Sequence, residues 1–203
     1  MEFKDFSGVI LAGGQNKRFN GRNKALTSFG GKRIFDYIYA TFKSLFDHII
    51  IVTNDPESYL EWDATIVTDL FPISCSLTGL HAGLYYTRTP FAFFSACDTP
   101  FLKADLVKLL LASVSDHNDI VLPETAVGLE PLCAVYSKRC LQPIETHLKQ
   151  QKLAIRGIYN KLKVKTVTEK RLRVVDPELN SFFNVNTPQD LKRAREIIGR
   201  EQN

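Results

Sequence analysis

Three short runs decide what this chain can fold into. Val9-Ile10-Leu11-Ala12, His48-Ile49-Ile50-Ile51-Val52 and Phe91-Ala92-Phe93-Phe94-Ser95-Ala96 lack the polar alternation of a strand with one wet face. Strands buried on both faces read this way, and they occur in parallel sheets covered by helices on either side. The segments between them supply those helices. Ile34 to Phe46 places Ile34, Phe35, Ile38, Phe42, Leu45 and Phe46 at helical spacing. Leu77 to Tyr86, entered through Thr78-Gly79, and Ala104 to Val114 are two more, with Asp105 in the second helix's first turn suiting its dipole. Thr65-Ile66-Val67, Ile120-Val121-Leu122 and Leu132 to Tyr136 read as further strands. The pattern predicts an α/β protein: a three-layer, Rossmann-like fold with a mostly parallel sheet. At 203 residues, 44% hydrophobic, the chain can bury the core of one domain spanning residues 1–203. No internal repeat, low-complexity tract or Pro/Gly linker divides it.

Charge and cysteines exclude several classes. A formal net charge of +4 is too small for a polycation that binds nucleic acid through charge alone. No run of eighteen apolar residues would span a membrane. The opening MEFKDFSG does not resemble a signal peptide. Cys75, Cys97, Cys133 and Cys140 form no C-x-x-C pair and read as reduced, small core residues. A cytoplasmic protein is expected.

Open α/β sheets bind ligands beyond the carboxyl ends of their strands. Here the apolar strands end at Gly13-Gly14, Asn54, Asp69 and Asp98. Asp and Asn are also ordinary turn residues, so each ending alone has a bland reading. The first ending carries more. Gly13-Gly14 lets the backbone approach a ligand, and Lys17, Arg18, Arg22 and Lys24 follow. From Phe6 to Phe35 there are six basic residues and no carboxylate, a bias that favours a polyphosphate over a plain turn beside a solvated loop. A Walker loop is excluded because Leu26 stands where its first glycine should be. A dinucleotide fingerprint is excluded because the glycine after Gly14 is Gly21.

Asp98 has two readings. A carboxylate at the mouth of so apolar a strand needs a partner, and Mg²⁺ beside phosphates is one. The other is a cap for the helix after Pro100. Asp69 is an acceptor-only group, suited to guanine N–H or to ribose hydroxyls. Near the C-terminus, Thr187 reads as an N-cap with Pro188 and Asp190 in the first turn of a helix reaching about Arg200. Asn184 and Asn186 flank Val185 and should share one face of an extended segment, where they could bind a ribose, a phosphate or a metal-bound water. Lys138 to Arg173 holds eleven basic residues against Glu145 and Glu169. Its readings are a solvated helix face over Leu141, Ile144 and Leu148, a dock for an anionic second substrate, or an RNA surface without a recognition module.

Leu11-Ala12-Gly13-Gly14, Arg18, Lys24 and Leu26 resemble the nucleotidyltransferase signature L-A-G-G-x-x-x-R-(x)n-K-x-L. Cys97-Asp98-Thr99-Pro100-Phe101-Leu102, Glu130-Pro131-Leu132 and Phe182-Phe183-Asn184-Val185-Asn186-Thr187-Pro188 extend the likeness over nearly the whole chain. The combination is most similar to the molybdenum cofactor guanylyltransferases. Phe19, Asn20 and Asn23 replace that family's usual Met, Gly and Asp, and Cys75-Ser76-Leu77 replaces Gly-Pro-Leu near the base. The resemblance implies transfer of GMP from GTP to the molybdopterin-bound cofactor, with release of pyrophosphate. It implies GTP contacts from Leu11, Ala12, Gly13, Gly14, Lys24, Asn54, Asp69, Asp98, Asn184 and Asn186. It implies Mg²⁺ held by Asp98 and Asn186, with Lys24 and Arg18 offsetting triphosphate charge. Implied partners are the molybdenum cofactor, molybdoenzyme apoproteins and other cofactor-biosynthesis proteins, with neither nucleic acid nor membrane. Open alternatives are CTP as donor, a sugar-phosphate acceptor, or a regulatory subunit that keeps the pocket without turnover.

Overall fold

The computed structural model describes residues 5–13 and 23–201. In chain order it contains β1 (Phe6–Leu11), β2 (Ser28–Phe29), β3 (Lys32–Arg33), α1 (Ile34–Lys43), β4 (Ile49–Val52), β5 (Thr65–Val67), α2 (Ser76–Tyr86) and β6 (Phe91–Ala96). There follow α3 (Ala104–Ala112), β7 (Ile120–Thr125), β8 (Gly128–Leu129), β9 (Cys133–Ser137), α4 (Leu141–Lys149), β10 (Val164–Thr168), α5 (Glu169–Val175) and α6 (Pro188–Glu201).

The main sheet runs β10-β7-β9-β6-β1-β4-β5, with β8 paired to β7 beside that path. β1 pairs in parallel with both β4 and β6, β4 with β5, and β10 with β7. β9 runs antiparallel to β6 and β7. The cause is local: only residues 126–132 join β7 to β9, far too few for a crossover.

The unalternating strands are buried on both faces, as expected. Phe6 and Ile10 of β1 pack with α1, α3 and α5, and Val9 and Leu11 pack with α2 and α4 on the opposite face. Helix α2 lies hard against the sheet at Gly83. A Cβ there would come within 2.6 Å of Phe94 and 2.7 Å of Val9. Helix α6 stands apart with its own small core of Phe29, Ile34, Phe101, Val185 and Ala194.

Two helices end earlier than their apolar spacing predicts. Helix α1 stops at Lys43, yet Phe46 stays buried because its amide still bonds the Phe42 carbonyl at 2.9 Å. Helix α3 stops at Ala112, where the Ser113 amide closes the final turn. In the basic stretch 138–173, α4 buries Ile144 and Leu148 as expected. The same stretch also holds β10 and α5, which the apolar pattern does not announce. β10 is an edge strand, and only Val167 of its five residues is buried.

Candidate nucleotide site

Four neighbouring parallel strands, β6-β1-β4-β5, deliver their carboxyl ends to one edge. The ladder continues one residue past them, which keeps those ends level. The Ala12 amide donates to the Val52 carbonyl at 2.8 Å, Thr53 to Val67 at 2.9 Å and Cys97 to Leu11 at 3.1 Å. Gly13, Asn54, Asp69 and Asp98 therefore lie along one rim, about three strand spacings or roughly 14 Å from the β6 end to the β5 end. Among the described residues a Cβ at Gly13 would meet no atom within 4 Å, so these residues leave room where β1 stops.

Asp98 is held by a turn that Ser95 and Thr99 brace. The Thr99 hydroxyl donates to the Ala96 carbonyl at 2.8 Å, and the two hydroxyls lie 3.1 Å apart. Lys24 reaches Asp98 from a single 3-10 turn, Lys24–Leu26. Asn23 caps that turn by accepting from the Ala25 amide at 3.1 Å, and its own amide donates to the buried Tyr59 hydroxyl at 3.0 Å. The Lys24 ammonium bonds both the Asp98 carboxylate and the Asn186 side-chain oxygen, the latter at 2.7 Å.

Asn186 is placed from the other end of the chain. Val185 is fully buried and its amide donates to the Asp98 carbonyl at 2.9 Å. Asp190 then fastens the segment to α6 by accepting from the Asn186 and Thr187 amides at 2.9 and 2.8 Å, while the Thr187 hydroxyl accepts from the Asp190 amide. This is the predicted cap. Desolvation pushes the Asp190 carboxyl upward, but these donors outweigh it and hold the pKa below the usual range.

The structure thus joins Lys24, Asp98 and Asn186, with Leu11 ending the adjoining strand β1 and Ala12 and Gly13 just past it. Asn54 and Asp69 form a second pair, with the amide donating to the carboxylate at 2.8 Å. Burial raises the Asp69 pKa, and the Asn54 bond opposes that shift. Asn184 does not join the cluster. Its amide donates to the Phe182 carbonyl at 3.1 Å and the residue is exposed. The expected sharing of one face fails because residues 180–182 form a tight turn whose carbonyl captures the first amide. Helix capping by Asp98 is also not found, since α3 begins at Ala104. Gly14 and Arg18 lie outside the described residues. Sequence reasoning missed Asn23 and Tyr59 as supports, although an Asn immediately before a helical turn is a capping signal.

The family model for the MobA-like NTP transferase domain matches residues 8–166. The molybdenum cofactor guanylyltransferase of Desulfosudis oleivorans is 50% identical over 95% of both chains. The chain belongs to the molybdenum cofactor guanylyltransferase family. A probable member from Natranaerobius thermophilus is 33% identical over 97% of this chain and 98% of its own. The crystal structure of molybdopterin-guanine dinucleotide biosynthesis protein A from Archaeoglobus fulgidus is 28% identical, with a TM-score of 0.82 over 96% of this chain and 99% of that one. As a member of the family the chain is a nucleotidyltransferase enzyme with the α/β fold its sequence predicts. These likenesses favour guanylyl transfer over the alternatives left open by the sequence.

Nucleotidyltransferases of this kind usually depend on a divalent metal, and the residues present fit one. Asp98 Oδ1 is buried with no hydrogen-bond partner among the described residues. Among the described residues no three His, Cys, Asp or Glu side chains cluster as a metal site. One carboxylate plus an amide oxygen matches a hard cation that takes its remaining oxygens from phosphate and water. Cysteine ligation is disfavoured. Burial, with the Asp98 charge adding to it, pushes the Cys97 thiol up to about 12. Among the described residues no helix is long and apolar enough to cross a membrane.

Proposed function

We propose that the chain transfers GMP from GTP to the molybdopterin-bound molybdenum cofactor, acting in the cytoplasm as one nucleotidyltransferase domain over residues 1–203. An oxygen of the acceptor's terminal phosphate attacks the α-phosphorus of GTP. The bond from that phosphorus to the oxygen bridging to the β-phosphate breaks, and pyrophosphate leaves with the electron pair. The attacking oxygen is anionic at neutral pH, so alignment and charge neutralisation carry most of the catalysis. The observation that carries this reading is the meeting of Lys24, Asp98 and Asn186 beside the end of β1.

Asp98 and Asn186 would hold Mg²⁺, which when bound neutralises charge on the phosphates. Lys24, with Arg18, offsets the remaining triphosphate charge. Leu11, Ala12, Gly13 and Gly14 let the backbone approach the phosphates. The Asn54–Asp69 pair faces the guanine or ribose. Molybdoenzyme apoproteins and other cofactor-biosynthesis proteins are the proposed onward partners.

The test is pyrophosphate release from each of GTP, CTP, ATP and UTP with molybdopterin-bound cofactor and Mg²⁺. Release with GTP well above the other three is expected. Preference for CTP, or no release with any nucleotide, contradicts the proposal.

A further inference from the structure

The nucleotide groups occupy the rim from β6 to β5, which leaves the rim on the other side of β6 for the acceptor. The strand there is β9, and its Cys133 pairs with Ser95 of β6. Because β9 is antiparallel, its amino end lies beside the carboxyl end of β6. The turn entering β9 therefore lies at the same end of the sheet as Asp98, one strand over, and Glu130 begins that turn.

The backbone of this turn is fixed from three sides. The Glu130 amide donates to the Pro123 carbonyl at 3.1 Å, and the Glu130 carbonyl accepts from the Cys133 amide at 3.1 Å. The Tyr136 hydroxyl donates to the Pro131 carbonyl at 2.8 Å. The Glu130 side chain, by contrast, is partly buried and receives no hydrogen bond from any described residue. Burial raises its pKa, and the nearby Arg156 guanidinium opposes that shift without closing an ion pair. Its oxygens are not among the buried polar atoms left without a partner, so this carboxylate sits on a rigid turn, open to solvent and free to accept from a ligand.

We infer that Glu130 recognises the acceptor, its two carboxylate oxygens accepting from the 2-amino group and the N3–H of the pterin ring. A carboxylate is acceptor-only, and that ring edge presents two parallel donors at matching spacing. Arg156 beside it is a positioning residue that favours the ionised form. The inference rests on the proposed reaction. It places the pterin over β9 and the guanine over β5, with the reacting phosphates between them at Asp98.

Guanine carries the same donor edge, so the experiment must distinguish the two rings. The full chain, Glu130→Ala and Glu130→Gln are compared in three measurements: the KM for molybdopterin, the Kd for GTP and for ITP (which lacks the 2-amino group), and the binding of 6-hydroxymethylpterin against 6-hydroxymethyllumazine by fluorescence. Lumazine has an oxygen acceptor in place of the 2-amino donor. Glu130→Ala should raise the molybdopterin KM about tenfold or more, the size expected for lost bonds to a charged group, with GTP binding unchanged. Wild type should prefer the pterin. Glu130→Gln, nearly isosteric, should shift preference toward the lumazine, because its amide can donate to the new oxygen. A KM change below threefold, or an unchanged pterin-to-lumazine preference in Glu130→Gln, overturns the inference. So does loss of GTP-over-ITP discrimination in either variant, which would assign Glu130 to guanine. Pterin binding needs no turnover, so its outcome is separate from a failure of wild type to release pyrophosphate.

Discussion

The two sides of the sheet's carboxyl rim are built by opposite means. On the β6-β1-β4-β5 side the polar side chains are tied to one another: Lys24 to Asp98 and Asn186, and Asn54 to Asp69. On the β9-β7 side the backbone of the Glu130 turn is tied and its carboxylate is not. A triphosphate is highly charged, and a site for it needs cations and carboxylates kept in register before it arrives. A flat heterocycle needs a few directed acceptors on a rigid frame. The contrast fits the proposed division, with the phosphates on one side and the ring on the other.

The sharpest way to break this division is Asp98→Ala. Electrostatic groups of this kind supply factors of about a hundred or more, so metal-dependent pyrophosphate release should fall at least that far. Lys24 is about a fifth exposed and keeps its bond to Asn186, so the melting temperature should fall by only a few degrees, as calorimetry can check. Retention of more than roughly a tenth of the rate would remove Asp98 from the reacting phosphates.

Lys24→Ala should have the next largest effect. It should weaken GTP more than GMP, read as a ratio of Kd values by calorimetric titration, because on the proposed reading the ammonium serves the outer phosphates. Equal losses for both would move Lys24 off the triphosphate.

A smaller effect concerns pH. Burial raises the carboxyl pKa of Asp69, so on acidification it protonates earlier than an ordinary carboxylate. Donors on the nucleotide lose their acceptor as it does. GTP affinity should weaken as pH falls from about 7 toward about 5, and Asp69→Asn should bind less tightly with a flatter profile. A variant retaining the full wild-type slope would place the titration elsewhere. The same direction holds for Glu130, whose carboxyl is also raised by burial, so the acceptor KM should rise over the same acid range.

Much of the proposed nucleotide side was legible in the sequence because Gly13, Asn54, Asp69 and Asp98 each follow the end of a strand by two residues. Asp98, Asp69 and Asn54 announce themselves by ending mostly apolar runs, and the parallel sheet then brings those ends to one rim. The Asn186 contact was half legible. Its motif was visible, but the division of labour with Asn184 depends on the 180–182 turn, whose Leu179 adopts a left-handed backbone that no residue pattern there announces. The Glu130 side was not legible as a site. It is assembled from a turn between antiparallel strands and from Arg156 on the separate segment Ile155–Lys161, which have no common periodicity. β10 was missed for a related reason, since an edge strand with a single buried side chain carries almost no apolar signal. In the basic stretch 138–173, Arg139 bonds Asp119 and two nearby carbonyls, Lys165 bonds the Ser113 carbonyl and Arg173 bonds Glu169, which ties part of its charge into the fold.

The central claim is that a triphosphate lies between Lys24 and a divalent ion held at Asp98. The most direct test is a crystal grown with a non-hydrolysable GTP analogue and Mn²⁺, read by anomalous scattering. A metal peak against Asp98 Oδ1, phosphate oxygens on the Lys24 ammonium and the guanine over Asp69 are expected. A peak remote from Asp98, or a base stacked over β9 beside Glu130, would contradict the claim.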